Sequence, residues 1–286
     1  MTSAIELDAD MILDILAVTA ADRAGCQSLL DGETSDGAEQ VHEFLAGRLG
    51  SAEDSVPVLG TPDSPVTESD WLEGMLRFTP HILHWHAERG IPEAVSHATL
   101  ADFGRNLAIN RRVHGRFGMD TYKWLTHHYA GRIYQLGRLQ YLLHPLAAAI
   151  PGAGPGEWIA GIHIPEDGGL AADAVAASLA LAAPFFRQHF PEHPVRLANC
   201  ESWLLDPYLA QGVGPESNIA RFAALFTPYA PPRDEPSDAV YFTFRTRGMD
   251  RMDALPRTTA LQRLVLDRIA AGGTWQVGRG YLVLPG

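Results

Sequence analysis

Near residue 119 the hydrophobic period of the chain changes, and no other feature limits its fold as much. Upstream, apolar residues recur at three- and four-residue spacing. Downstream, short apolar or alternating runs are interleaved with helical ones. A chain patterned this way cannot be one helical bundle or one open sheet. It predicts an all-helical N-terminal domain over 1–118 and a mixed sheet flanked by helices over 119–286, an α+β arrangement.

In the first part the spacing predicts helices over 8–30 (capped by Asp8 or Asp10), 37–50 (closed by Gly50), 69–90 (capped by Ser69 or Asp70) and 97–118. The polar, Pro/Gly-rich stretch 51–70 reads as a loop. After a short helix at 120–133, "YQLGRLQYLL" (134–143) alternates, with Leu139, Tyr141 and Leu143 on one face and Arg138 and Gln140 on the other. "EWIAGIHIP" (157–165) is apolar on both faces, as in a covered strand. Helix 170–190, strand 194–200, helical stretch 206–226, strand 238–247, helix 258–273 and strand 274–285 follow. The first two strands form an antiparallel hairpin, and 157–200 is long enough for a parallel crossover.

The net charge of −12 argues against nucleic acid as the main partner. No apolar run reaches a membrane span, and the acidic start "MTSAIELDAD" lacks the basic region of a secretory signal. Cys26 and Cys200 form no CxxC pair, so a reducing cytoplasm is the default location. Lys123 is the only lysine, which leaves no lysine for a P-loop.

Six motifs in order, "LGRLQY" (136–141), "IHIPEDGGL" (162–170), "SLALAAPFFRQHFP" (178–191), "CESWLLDPYL" (200–209), "SNIARF" (217–222) and "TALQR…AAGGTWQVGRG" (259–280), resemble bacterial acyltransferase-domain proteins with a GNAT-like C-terminal domain. The helical half resembles the N-terminal domain of that family in character. The resemblance implies a donor of the acyl-CoA or acetyl-CoA kind, a small-molecule amine acceptor, no metal, and a monomer or homodimer. It also implies that strands 157–164 and 194–200 splay apart around the pantetheine arm, with the pyrophosphate at the helix start near Gly168 and Gly169. "PEDGGL" departs from the family's glycine-rich phosphate turn by placing Glu166 and Asp167 there.

His163, beside Gly161 and Ile159 on one strand face, is a candidate general base; its other reading is a core histidine. Cys200 is a thioesterase nucleophile or a pocket wall. Glu201 is a second candidate base or a solvated carboxylate, and Ser202 a ligand contact or a helix cap. Tyr208, after an Asp206 cap with Pro207 in the first turn, is a candidate acid for the leaving thiolate or a packed ring. The resemblance places Ile162, Ile164, Gly168, Gly169, Cys200, Ser202 and Asn218 along the donor, with the N–H near Ile164 polarising the thioester carbonyl. Asn218 otherwise caps a helix with Ser217. Arg221, Arg257, Arg263 and Arg279 are candidate phosphate contacts, and Arg138 and Gln140 face the acceptor pocket or a helix. "HILHWHAE" (81–88) offers His81 and His84 on one face without a third ligand, and "NRRVHGR" (110–116) is a basic patch solvated or paired with acids. Two functions follow from different classes: direct acyl transfer to an amine, or a non-catalytic GNAT-like module that binds a CoA ester.

Overall fold

The computed structural model describes residues 7–57 and 65–286. Residues 58–64 of the loop expected at 51–70, and the first six residues of the acidic start, lie outside the described residues. The chain divides into two compact units, Met1–Gln135 and Leu136–Gly286.

The first unit is built from α1 (Ala9–Ile15), α2 (Ala20–Asp31), α3 (Asp36–Arg48), α4 (Glu68–Glu88), α5 (Glu93–Leu100), α6 (Asp102–His114) and α7 (Tyr122–Tyr129). Two stretches expected to be single helices are broken. The 8–30 stretch divides because Ala17 takes φ 51 and Thr19 restarts the helix. The 97–118 stretch divides at Ala101. The cap of α4 is Thr67 rather than Ser69 or Asp70. Asp70 instead stands at N3 and closes a capping box, accepting from the Thr67 N–H at 2.8 Å. The apolar faces converge on Trp71, Phe78, Phe103 and Tyr129. Tyr122, Leu125 and Tyr129 of α7 belong to that core, so this helix packs with the first unit although its sequence follows the change of period.

A six-stranded sheet in the order β1-β2-β3-β4-β6-β5 is made by β1 (Ile133–Leu136), β2 (Leu139–Pro145), β3 (Trp158–His163), β4 (Leu197–Ser202), β5 (Thr227–Asp234) and β6 (Gln276–Val283). Helix α8 (Ala172–His189) makes the crossover from β3 to its parallel partner β4. Helices α9 (Pro207–Gly212), α10 (Asn218–Ala223), α11 (Pro236–Phe244) and α12 (Ala260–Ala270) complete the unit. The alternating stretch 134–143 is two strands rather than one, joined by the turn Gly137–Arg138 with φ 67 at the glycine.

The strand expected at 238–247 is helix α11 instead. Pro236 opens it, and Ala239 and Val240 bury one helical face beside Val265 and Trp275. The strand position is taken by "TPYAPPRD", whose prolines hide its nature. It lies at the sheet's edge, where a missing N–H is tolerated, and its register slips between Pro228 and Ala230 and again before Arg233.

One sheet face lies against α8. Ser178 of that helix accepts from the Leu139 N–H at 3.1 Å, contacts the Tyr141 hydroxyl at 3.1 Å and donates to the Leu136 carbonyl. By the strand pleat Ile162, Cys200 and Ser202 turn to this side, whereas Gln140, His144, Gly161, His163, Asn199 and Glu201 turn to the other.

Candidate active site

The parallel ladder between β3 and β4 is short. It runs over Ala160↔Ala198 and Gly161↔Asn199 and then stops. The outer ladders continue: β2 pairs with β3 as far as Gln140↔His163, and β6 pairs with β4 as far as Ser202↔Gly278. Both inner strands therefore go on past the last shared pair with their facing edges unladdered. A wedge opens, walled by Ile162 and His163 on one side and by Cys200, Glu201 and Ser202 on the other. An extended ligand with amide groups could add to either edge as a short strand.

A polar row crosses the sheet face at the apex of the wedge. His144 Nε2 lies 3.4 Å from Asn199 Oδ1, Asn199 Nδ2 lies 3.5 Å from the Tyr229 hydroxyl, and that hydroxyl donates to Glu201 Oε1 at 2.8 Å. Burial, with the Glu201 carboxylate adding to it, pushes the Tyr229 phenol up to about 12. Tyr229 is thus a fixed donor that orients the carboxylate. Gly161 lies beneath the row: a Cβ there would stand 3.3 Å from His144 Nε2 and 3.6 Å from Asn199 Oδ1. The glycine leaves the room in which these side chains meet. His163 shares this face with Gly161 and Glu201, opposite the buried Gln140.

The loop beyond β3 is held by Arg138. Its guanidinium donates to the carbonyls of Gly169 at 2.7 Å, Pro165 at 2.9 Å and Gly168 at 3.0 Å. Because each peptide is planar and trans, the N–H groups of Gly169 and Leu170 point away from that guanidinium. They lie just ahead of the uncapped start of α8, where Ala171 offers no side-chain acceptor. Backbone donors beside a helix N-terminus suit an anion. Glu166 is drawn aside by Arg245, whose Nη2 lies 3.1 Å from its carboxylate.

Residues 7–131 match the N-acyltransferase N-terminal domain, and residues 133–282 match the GNAT-like C-terminal domain. The chain belongs to this GNAT-like N-acyltransferase family. Solved structures agree with the assignment. An acyltransferase in complex with decanoyl-CoA and teicoplanin is 32% identical, with a TM-score of 0.84, over 100% of this chain and 91% of its own. An acyltransferase variant in complex with octanoyl-CoA is also 32% identical with a TM-score of 0.84, over 97% of this chain and 88% of its own. A third, with CoA and 10C-teicoplanin, is 31% identical with the same TM-score of 0.84, over 99% and 89%. No curated protein matches the chain.

In this family member Cys200 is buried and paired in register with Gly280. Burial and the neighbouring Glu201 push its thiol up to about 12, so it stays protonated at neutral pH. That state suits a wall and not a nucleophile. Ser202 caps the turn at 203–205, accepting from the Leu204 N–H at 3.1 Å. Ser217 caps α10, and Asn218 is its exposed first residue. Asp206 caps α9 by accepting from the Tyr208 N–H at 2.8 Å, and its second oxygen accepts from the Gln276 N–H at 2.9 Å. Tyr208 is 43% exposed, its ring lying under the Arg268 guanidinium at 3.8 Å. This is a packed ring with a wet edge, and it is not brought into the polar row by any described contact. Gly168 and Gly169 are the carbonyls that Arg138 holds, and Ile164 is the half-buried residue just past β3.

The arginines singled out for phosphate are tied elsewhere. Arg221 pairs with Glu216 at 2.5 Å, Arg257 with Asp267, and Arg263 donates to the Arg257 and Thr258 carbonyls at 3.0 Å. Arg279 donates to the Pro231 carbonyl at 2.7 Å. Arg138 lies in a turn rather than on the strand face of Gln140. His144, Asn199, Tyr229 and Arg245 are the residues sequence reasoning missed. The first sits past the alternating run, Tyr229 lies in a strand that no sequence pattern marked, and Arg245 caps a helix read as strand.

Among the described residues no cluster of histidine, cysteine and acid side chains is arranged to hold a metal. His81 stacks on Phe78, His84 lies 3.2 Å from Glu88, and His86 is buried. In the basic patch Arg111 pairs with Asp22, Arg116 with Glu68 at 2.8 Å and His114 with Asp120 at 2.8 Å. No described helix is long and apolar enough to cross a membrane.

Proposed function

We propose that the chain is an acyl-CoA-dependent N-acyltransferase that passes a medium-length acyl group to an amine by direct attack. The observation that carries this reading is the early end of the β3–β4 ladder, which opens a wedge of strand edges between His163 and Glu201. The octanoyl- and decanoyl-CoA held by its relatives support the donor, and their teicoplanin supports an acceptor of that kind.

The donor supplies the thioester. The wedge edges align its pantetheine amides, and an N–H near Ile164 meets the carbonyl oxygen as it gains charge. The amine lone pair attacks the carbonyl carbon and a C–N bond forms. Collapse breaks the C–S bond and releases the CoA thiolate. The single proton that the neutral amine loses on becoming an amide passes to His163, while Glu201, oriented by Tyr229, accepts an N–H of the amine and aims its lone pair at the carbonyl carbon. Thiolate is a good leaving group, so Tyr208 need not take part.

Calorimetric titration of decanoyl-CoA and acetyl-CoA tests the donor. Release of free CoA with and without an amine acceptor tests the reaction. Micromolar binding is expected, tighter for decanoyl-CoA, with release that depends on the amine, falls about a hundredfold in His163→Ala and survives in Cys200→Ala. Amine-independent release lost in Cys200→Ala would instead mark a thioesterase. Binding without turnover on any amine would mark a ligand-binding module.

A further inference from the structure

At the end of α11 the chain gathers cations and aromatic rings next to the turn that follows β3. Arg245 adopts the left-handed conformation, φ 54, to cap the helix, and its N–H returns to the Tyr241 carbonyl at 2.8 Å. A non-glycine residue takes this conformation at a cost, which the surrounding contacts must offset. Its guanidinium carbon lies 5.1 Å from the Tyr241 ring centre and 5.3 Å from that of Phe242. Arg247 lies 4.4 Å from the Tyr241 ring. The Arg245 side chain is only 14% exposed, and its Nε is buried without a hydrogen-bond partner among the described residues. Its anion is Glu166, whose carboxylate lies 3.1 Å from Nη2. Guanidinium groups favour two parallel bonds to one anion, and here Nε is left over.

We propose that Arg245, with Arg247 and Tyr241, forms a binding subsite for a phosphoryl group of the donor nucleotide, and that Glu166 occupies it until the donor arrives. The inference rests on the acyl-CoA reading above. A phosphoryl group has oxygens enough for both Nε and Nη2 of Arg245 and for the N–H groups of Gly169 and Leu170 on the same turn. Glu166 leaves the Arg245 Nε unbonded and repels an incoming anion while it stays. The first acid of "PEDGGL" then has a role consistent with phosphate binding: it keeps a largely buried arginine neutralised in the empty protein. Affinity for CoA is lowered by the work of displacing it.

The test is calorimetry on the full chain with CoA, dephospho-CoA and pantetheine, using native protein, Glu166→Gln and Arg245→Gln. Glu166→Gln removes the competing charge, so CoA is expected to bind about tenfold tighter. Arg245→Gln is expected to weaken it by about tenfold or more, while pantetheine, which lacks phosphate, binds all three proteins alike. If dephospho-CoA keeps the dependence on Arg245, the pyrophosphate is the group bound; if it loses it, the 3′-phosphate is. Unchanged or weaker CoA binding by Glu166→Gln would overturn the exchange, whatever Arg245→Gln does to folding. Native protein that binds no CoA would bring down the donor reading itself. CoA binding indifferent to Arg245→Gln would bring down this subsite alone.

Discussion

At the scale of single residues the site depends on what is missing as much as on what is present. Gly161 has no side chain, and His144 and Asn199 meet in the space above it. Gly161→Ala adds one methyl group where the nearest ring atom already stands at 3.3 Å. The ring must give way, and the row running to Glu201 loses its first link. The expected outcome is a fall of roughly tenfold in kcat/KM for the amine, with stability lowered by only about 1 kcal/mol. Steady-state kinetics beside thermal unfolding separates the two effects. Equal loss of activity and of folded protein would mean that Gly161 serves packing alone. Cys200 shows the opposite case, a reactive residue type held inert by its surroundings. Its sequence neighbours Glu201 and Ser202 suggest chemistry, and only its burial removes it from the candidates.

At the scale of elements, α4 depends on a reciprocal cap that its sequence spells out in Thr67 and Asp70. Thr67→Ala removes the side-chain acceptor for the Asp70 N–H and should cost about 1 kcal/mol, read as a lower urea midpoint with an unchanged slope. Caps of this kind, together with apolar spacing, made most helices and the strands β2, β3, β4 and β6 legible from sequence. The failures have local causes. Prolines in "TPYAPPRD" disguised β5, since an edge strand needs fewer donors than the pattern assumes. Aromatic and β-branched residues in "DAVYFTFRTR" have strand propensity, yet Pro236 and the burial of Ala239 and Val240 beside Trp275 favour a helix. The early end of the β3–β4 ladder agrees with the splaying of these strands that the family resemblance implies. The polar row was not legible, because it joins residues from β2, β4 and β5 whose neighbourhood is set by register across strands. Register is a tertiary property, and no local spacing encodes it.

At the scale of the whole molecule, a buried histidine of the first unit ties stability to pH. His86 is buried in the first unit, and burial with the nearby His128 pushes it down to about 3. Asp102 lies 3.1 Å from the Nε2 of His128; burial opposes its ionisation, but the nearby His128, the charge of Arg105 and the bond from Trp124 outweigh that and hold it below the carboxylate range. A histidine kept neutral in the fold gains a proton on unfolding, so its share of stability is intact above the ordinary pKa of about 6.5 and drains away as pH falls toward 3. His86→Phe should flatten the fall of Tm between about pH 7 and pH 4 relative to the native chain. An identical slope in both proteins would mean that His86 is already charged in the fold. A different hazard of any protein with a sheet is growth by its rim, one molecule lending a strand to the next until the assembly is no longer soluble. The strand at the exposed rim here is studded with Pro228, Pro231 and Pro232, and its register is broken twice. A rim with missing donors and an uneven spacing is a poor template, so the same prolines that conceal β5 from a reader of the sequence also conceal it from a second copy of the chain.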